Sequence, residues 1–388
     1  MPAEPTLSGR DPATGRSITV TARNGLIDSL GDGPPDETRW LSAGLIDLQV
    51  NGFGGRDLNS PSLCIETVTA LAHRLLSCGV TTFVPTLVTA PHEQITAALT
   101  VIAAARRDDP LLAHAIPYVH LEGPHLSSED GPRGVHDRSS IRPPSLPEFE
   151  AWQQACGNLI GLVTVSPHYP HSADYISELT SRGVHVAIGH THASPDQIHA
   201  AAAAGARLST HLGNGAHAVL PRHPNYLWSQ LADDRLTACF IADGHHLPSD
   251  ALTAMIRAKG TERAVLVSDA VALAGMPPGR YETPVGGSVE LSGDGRLVAT
   301  GTPYLAGAAR SLADGVAHVV DAVGLDLAQA LHLATVQPGR FVGGRGCLEV
   351  GQPADVIRFS YSPGDPTLDV DTAWILGQDA DIPERSHP

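Results

Sequence analysis

The sequence predicts a (β/α)8 TIM barrel with a small β-sandwich domain formed from both chain termini. Three observations point to it. From about residue 44, short β-branched runs alternate with Ala- and Leu-rich stretches of helical character. Eight such runs occur. Their polar residues fall at the run ends: Gln49 and Asn51, Glu122, His190, His211, Asp243 and Asp269. Alternating β and α units imply a parallel sheet with right-handed crossovers, and eight of them suggest closure into a barrel. Strand C-termini on a barrel converge on one face, where barrel active sites lie. An open, doubly wound sheet would string the same residues along a line.

The predicted strands are 44–51, 80–86, 116–122, 159–166, 185–190, 207–211, 237–243 and 264–269. Segments 66–77, 93–106 and 195–204 read as helices between them. Residues 1–43 carry a strand-turn-strand signal, 17–22 and 26–30 around Asn24-Gly25, and 354–361 reads as another strand. Neither flank could bury a core alone. The expected division is therefore a small β domain from 1–43 and 348–388 around a hydrolase barrel at 44–347. Residues 280–302 read as a β-hairpin insertion with Gly293-Asp294-Gly295 as its turn.

Composition narrows the function classes. The 388 residues are 42% hydrophobic, enough for a sizeable core. Net charge is −16, from 25 basic and 41 acidic residues, which argues against nucleic acid and against a basic membrane-binding face. Five scattered cysteines without a C-x-x-C pair suggest a reduced, cytoplasmic protein. The polar start, residues 1–16, reads as no signal peptide, and no apolar run approaches the ~20 residues of a membrane span. Among the 20 histidines, His73, His92, His114, His171, His199 and His332 show no partner pattern and receive no role.

Glu122, His190 and His211 each end a predicted strand, and one carboxylate with two imidazoles is a common ligand set for catalytic zinc. Three protein ligands leave a position open for water, whose pKa a divalent ion lowers to roughly 7. Asp269 then suits a general base that passes the proton to a leaving amine. Singly, each has a plainer reading: Glu122 could cap a loop before Gly123-Pro124, His190 could be a satisfied buried histidine, and His211 could cap a helix. Their barrel order favours the metal reading. Zinc is the expected ion, with iron, cobalt or manganese as alternatives.

The segments GLIDLQVNGFGG (44–55), TTFVPTLVT (81–89), HLEGPHL (120–126), GPRGVHD (131–137), GHTHA (189–193), STHLGNGAH (209–217), IADGHH (241–246) and VSDA (267–270) resemble the N-acetylglucosamine-6-phosphate deacetylases of the amidohydrolase superfamily. The resemblance runs over most of residues 44–310. It implies metal ligands at Glu122, His190 and His211 and the catalytic acid/base at Asp269. It places His136 beside the sugar and amide as an oxyanion stabiliser. It implies substrate contacts from Asn214, Gly215 and His246, and phosphate binding by Arg222, across a homodimer interface or as an ordinary exposed arginine. Many superfamily members bind a second metal through H-x-H on the first strand, but Gln49-Val50-Asn51 stands there, and amides are weak zinc ligands. Gln49 is expected to hydrogen-bond the nucleophilic water, or only to satisfy barrel-mouth backbone. A carbamylated lysine bridge is excluded, since the single lysine, Lys259, lies in a helical RAKG segment.

Departures from the family pattern surround the substrate rather than the metal. They are Gly215, Arg222-His223-Pro224-Asn225, His192, Ser166-Pro167-His168 and Leu305-Ala306-Gly307-Ala308. The segment NGFGG at 51–55 is no dinucleotide fingerprint, because Asp57 replaces the third glycine. P-loop, G-x-S-x-G and H-E-x-x-H motifs are absent from the sequence. Three functions are therefore weighed: deacetylation of an N-acetyl amino sugar 6-phosphate, hydrolysis of another C–N bond (an unphosphorylated N-acyl sugar, an N-acyl amino acid, a cyclic amide or an amidine), and a non-enzymatic binding barrel. Keeping Glu122, His190, His211 and Asp269 together argues against the third.

Overall fold

The computed structural model describes residues 4–283, 287–302 and 304–380. The flanks expected at 1–43 and 348–388 and the hairpin expected at 280–302 therefore lie partly outside the described residues.

Eight parallel strands follow one another around the barrel: Leu45–Val50, Val80–Val88, Val119–Glu122, Ile160–Val165, His185–Ile188, Leu208–Ser209, Thr237–Ile241 and Ala264–Val267. Closure between the last and first is made by backbone, with Asp269 N–H donating to Gln49 O at 3.0 Å and Asn51 N–H to Ala270 O at 2.9 Å. Several strands are shorter than their sequence runs. Residues 207–211 keep only Leu208–Ser209 as strand, so His190, His211 and Asp269 sit two residues beyond their strands. All three are left-handed, with φ of 47°, 25° and 49°. Such backbone is uncommon for residues other than glycine and clusters at functional sites, where surrounding structure holds it.

Two apolar layers frame the barrel. Its interior is plugged by Ile46, Leu162, Ala187, Cys239, Val265 and Val267. The opposite strand faces pack on the helices through residues such as Phe83, Val163, Ile188 and Phe240. Helices Ile65–Leu76, His92–Asp108 and Pro195–Ala203 stand where alanine and leucine periodicity predicts them. The last starts with a Ser194/Gln197 capping box. Lys259 ends helix Ser249–Lys259 and is 1% exposed, with Nζ donating to the carbonyls of Asp233 (2.8 Å) and Leu236 (2.7 Å). Its place is structural, away from the barrel mouth.

Both ends of the chain meet in a separate seven-stranded sheet. Thr6–Arg10, the Ser17–Arg23/Leu26–Asp32 hairpin and Trp40–Ala43 pair onward to Val356–Ser360, Asp369–Ile375 and Gln378–Asp379. Asn24 and Gly25 make the hairpin turn with φ of 54° and 81°, the primed geometry that matches strand twist. Leu7, Val20, Ile27, Leu41, Val356 and Trp374 form this sheet's own core. His114, given no role from sequence, ties barrel to sheet through Asp355 at 2.7 Å. The insertion is more than a hairpin: Gly279–Thr283, Gly287–Leu291 and Leu297–Ala299 form three antiparallel strands, and Gly293-Asp294-Gly295 turns between the second and third. Its third strand and the following loop reach the barrel mouth through Leu297 and residues 304–307.

Candidate active site

At the C-terminal rim the strand ends deliver their polar side chains to one point. Glu122 Oε1 lies 2.9 Å from His211 Nε2 and 3.2 Å from His190 Nε2, and the two Nε2 atoms are 3.0 Å apart. His136, carried by the loop after the third strand, brings its own Nε2 to 3.3 Å from His190 Nε2 and 4.0 Å from Glu122 Oε2. Glu122, His136 and His190 meet the geometry of a metal-binding group, and all four side chains are buried. The sequence reading had kept His136 for the acyl group alone. The structure puts it inside the donor cluster.

The donor chemistry decides whether a cation fits. His190 Nδ1 donates to Pro132 O at 2.7 Å, which leaves Nε2 to face a carboxylate oxygen and a second imidazole nitrogen. Glu122 Oε1 and the Nε2 atoms of His190 and His211 thus face one another. A cation gives every one of them a partner, and separations near 3 Å suit ligands about 2 Å from a shared ion. The residues therefore fit a divalent metal. Burial opposes charge on Glu122, but the adjoining His190 and His211 imidazoles outweigh it and hold the carboxyl well below its usual range. Burial likewise opposes charge on His211, and the Glu122 carboxylate overcomes it, raising this imidazole. Burial, then the His190 ring, pushes His136 down to about 3.

Asp269 faces the same point from the eighth strand. Burial first and the Glu122 charge second push it up to about 7. Asn51 Nδ2 donates to its Oδ1 at 2.7 Å. Sequence reading dismissed Asn51 as a poor ligand and missed this contact. The only available signal was its place two residues after Gln49.

Around these groups lies a cavity of about 480 Å³. Asn214, Gly215 and His246 line it, together with Asn59 and Thr89. Asn214 Nδ2 is buried without a partner. His246 Nδ1 bonds Asp243 Oδ2 at 2.7 Å, so its orientation is set. Thr283, Leu297 and Tyr304 of the insertion close the cavity's outer side. Two further expected contacts, Gln49 and Arg222, are not among the lining residues. Gln49 instead donates from Nε2 to Glu122 Oε1 at 3.0 Å, the oxygen that faces His190 and His211. Arg222 is exposed on the loop before helix Tyr226–Ala232 and reaches no lining position, since its loop points to solvent.

A sequence profile of the Amidohydrolase family matches residues 40–380. The N-acetylglucosamine-6-phosphate deacetylase of Vibrio furnissii is 30% identical over 90% of this chain and 84% of its own. The N-acetylgalactosamine-6-phosphate deacetylase of Escherichia coli O157:H7 is 32% identical, covering 88% of each. A crystal structure of N-acetyl-D-glucosamine-6-phosphate deacetylase from Mycobacterium smegmatis superposes with a TM-score of 0.86 at 26% identity, over 96% of this chain and 99% of that one.

The chain belongs to the N-acetylglucosamine-6-phosphate deacetylase family of amidohydrolases. It is a hydrolytic enzyme acting on an amide C–N bond. Against that deacetylase background, Gly215 has a local cause. Its φ is 56°, and an added Cβ would sit 2.7 Å from His190 Nδ1. Gly215→Ala would therefore push on the nitrogen that Pro132 holds. We expect metal affinity to fall by roughly 10–100-fold, as when an outer-shell partner is lost, and titration of the apoprotein with zinc checks it. Unaltered affinity would show that the ring can move aside.

Proposed function

We propose that this enzyme removes the acetyl group from an N-acetyl amino sugar 6-phosphate. Glu122, His190 and His211 would hold one divalent ion, zinc in the first instance, with His136 beside them. The carrying observation is the convergence of this donor set with Asp269 at the mouth of a barrel whose relatives are deacetylases. When bound, the ion supplies Lewis acidity toward water and the amide carbonyl.

The chain's own groups do the rest. Asp269 accepts the water proton and later returns it to the departing amine. Asn51 fixes Oδ1, which leaves Oδ2 for that transfer. His136, beside the donor set, would stabilise negative charge developing on the acyl oxygen. Asn214 offers an unspent N–H to the substrate, and Asp243 aims His246 at a sugar hydroxyl. Five free thiols fit a reducing compartment such as the cytoplasm.

Among the described residues the cavity lining holds no Lys or Arg. Arg222 would meet a phosphate only in an assembly of two chains, so a homodimer belongs to this proposal. The same observation favours a second reading, an unphosphorylated N-acyl amino sugar. Kinetics on metal-analysed protein separate them by comparing N-acetylglucosamine-6-phosphate with N-acetylglucosamine. We expect the phosphorylated sugar to be preferred, and Arg222→Ala to raise its KM roughly 10–100-fold, the worth of a charge-assisted hydrogen bond. Equal use of both sugars, with no effect of the substitution, would favour the second reading.

A further inference from the structure

A second polar cluster lies outside the donor set and the cavity, and it joins four barrel loops. Its centre is Glu129, in the loop after the third strand. His217 Nε2 lies 2.9 Å from Glu129 Oε2, and His192 Nε2 lies 3.7 Å from Oε1. Each imidazole reaches Glu129 from a different loop, after the sixth and the fifth strands.

Both rings are prepared for this contact in the same way. The His217 backbone N–H donates to Tyr226 Oη at 2.9 Å, so that hydroxyl has its own hydrogen for His217 Nδ1 at 3.1 Å. The Glu129 N–H donates to Ser127 Oγ at 3.1 Å, which leaves the serine hydrogen for His192 Nδ1 at 2.6 Å. Each Nδ1 therefore accepts and each Nε2 carries the hydrogen; His217 Nε2 donates to Glu129 Oε2, whereas His192 Nε2 faces Oε1 from beyond hydrogen-bond length. His192 is further fixed by its ring lying 4.0 Å from that of His168. His168 in turn is held by Ser166 Oγ at 2.6 Å. Two family departures, His192 and His168, thus serve one structure.

The held segment matters for the metal site. Residues 127–137 carry Pro132, whose carbonyl orients His190, and His136. Gly131 lies so close to the 216–217 backbone that an added Cβ would be 2.9 Å from Ala216 O. No covalent link or regular element holds this loop in place; it is coil and turn from 123 to 145. We propose that Glu129 is a positioning residue: hydrogen-bonded by His217 and flanked by His192, it clasps the 127–137 loop so that the Pro132 carbonyl and His136 stay aligned on the metal site. The assignment rests on reading that site as a metal-dependent hydrolase centre.

Metal-loaded wild type, Glu129→Ala, Glu129→Gln, His217→Ala and the Glu129→Ala/His217→Ala double variant test it. Glu129→Ala should speed hydrogen exchange in peptides spanning 127–137. It should lower kcat by about 10–100-fold, on the order of an outer-shell loss, with KM little changed and the same metal content at saturation. Glu129→Gln keeps an oxygen that accepts from His217 Nε2 and should recover part of kcat. The double variant should be no slower than the worse single one, as members of one coupled contact behave. Unchanged exchange in the loop overturns the clasp whatever the substrate proves to be. A loss confined to KM, or additive effects in the double variant, also overturns it. If wild type fails to hydrolyse any N-acetyl amino sugar, the hydrolase assignment fails instead, and the exchange measurement still decides the clasp.

Discussion

Asp269→Asn should cost about three orders of magnitude in kcat, or ~4 kcal/mol of barrier, while fold and metal stay in place. The substitution is nearly isosteric, and an asparagine oxygen can still accept from Asn51 Nδ2. Asparagine also tolerates the left-handed backbone at φ 49°, so the Asp269 N–H bond to Gln49 O can persist. What disappears is the ability to take up a proton. The pH profile carries the sign. Only ionised Asp269 is a base, so the rate falls as pH drops through its pKa. Burial and Glu122 push that pKa up to about 7. A bound dication opposes both influences, so the acid limb of kcat/KM in the loaded enzyme should lie below that value. In Asp269→Asn the limb should vanish from the residual rate. Metal analysis, circular dichroism and a kcat/KM profile on the variant check this. Activity within tenfold of wild type would remove Asp269 from the proton-transfer role.

Removing the metal should abolish turnover and weaken the fold together. Without a cation, the Glu122 carboxylate and the Nε2 atoms of His136, His190 and His211 crowd one another in a buried niche. Among the described residues, Gln49 contributes a single N–H to Glu122, which does not satisfy them all. A metal present at a hundred to a thousand times its Kd stabilises the native state by about 3–4 kcal/mol, so the apoprotein should melt at a clearly lower temperature. Zinc returned in stoichiometric amount should restore both properties. Glu122→Gln should weaken binding by more than the roughly 10–100-fold typical of an outer-shell change. Scanning calorimetry beside activity, before and after chelation, reads both effects. Full activity in protein shown by elemental analysis to be metal-free would reject the donor-set assignment.

Much of the site was legible in the chain because barrel geometry converts sequence order into spatial position. A polar residue that ends a β-branched run lies at the barrel mouth, and Glu122, His190, His211 and Asp269 were all found that way. Contacts made by loops were not legible. Asn51 and Asp269 meet from 218 residues apart, at the seam where the eighth strand closes on the first. No local pattern records which rim residues adjoin across that seam. His136 followed Glu122 by fourteen positions of irregular chain, so its reach into the donor cluster depended on how the loop folds back. What Gln49 and Arg222 touch was illegible for the same reason. One donates to Glu122, and the other stands on a loop whose direction no periodicity encodes.

The chain by itself determined the barrel, its strand order, the face on which chemistry sits and the residue types available there. Those follow from apolar strand runs alternating with helical stretches, each run ending in polar residues, a pattern read along the backbone. Only the tertiary structure decided that His136 joins Glu122 and His190 in one donor group, that Asn51 bonds Asp269, and that Glu129 lies between two imidazoles. Those contacts depend on where flexible loops come to rest, and that balance of packing and hydrogen bonding is struck across the whole barrel mouth.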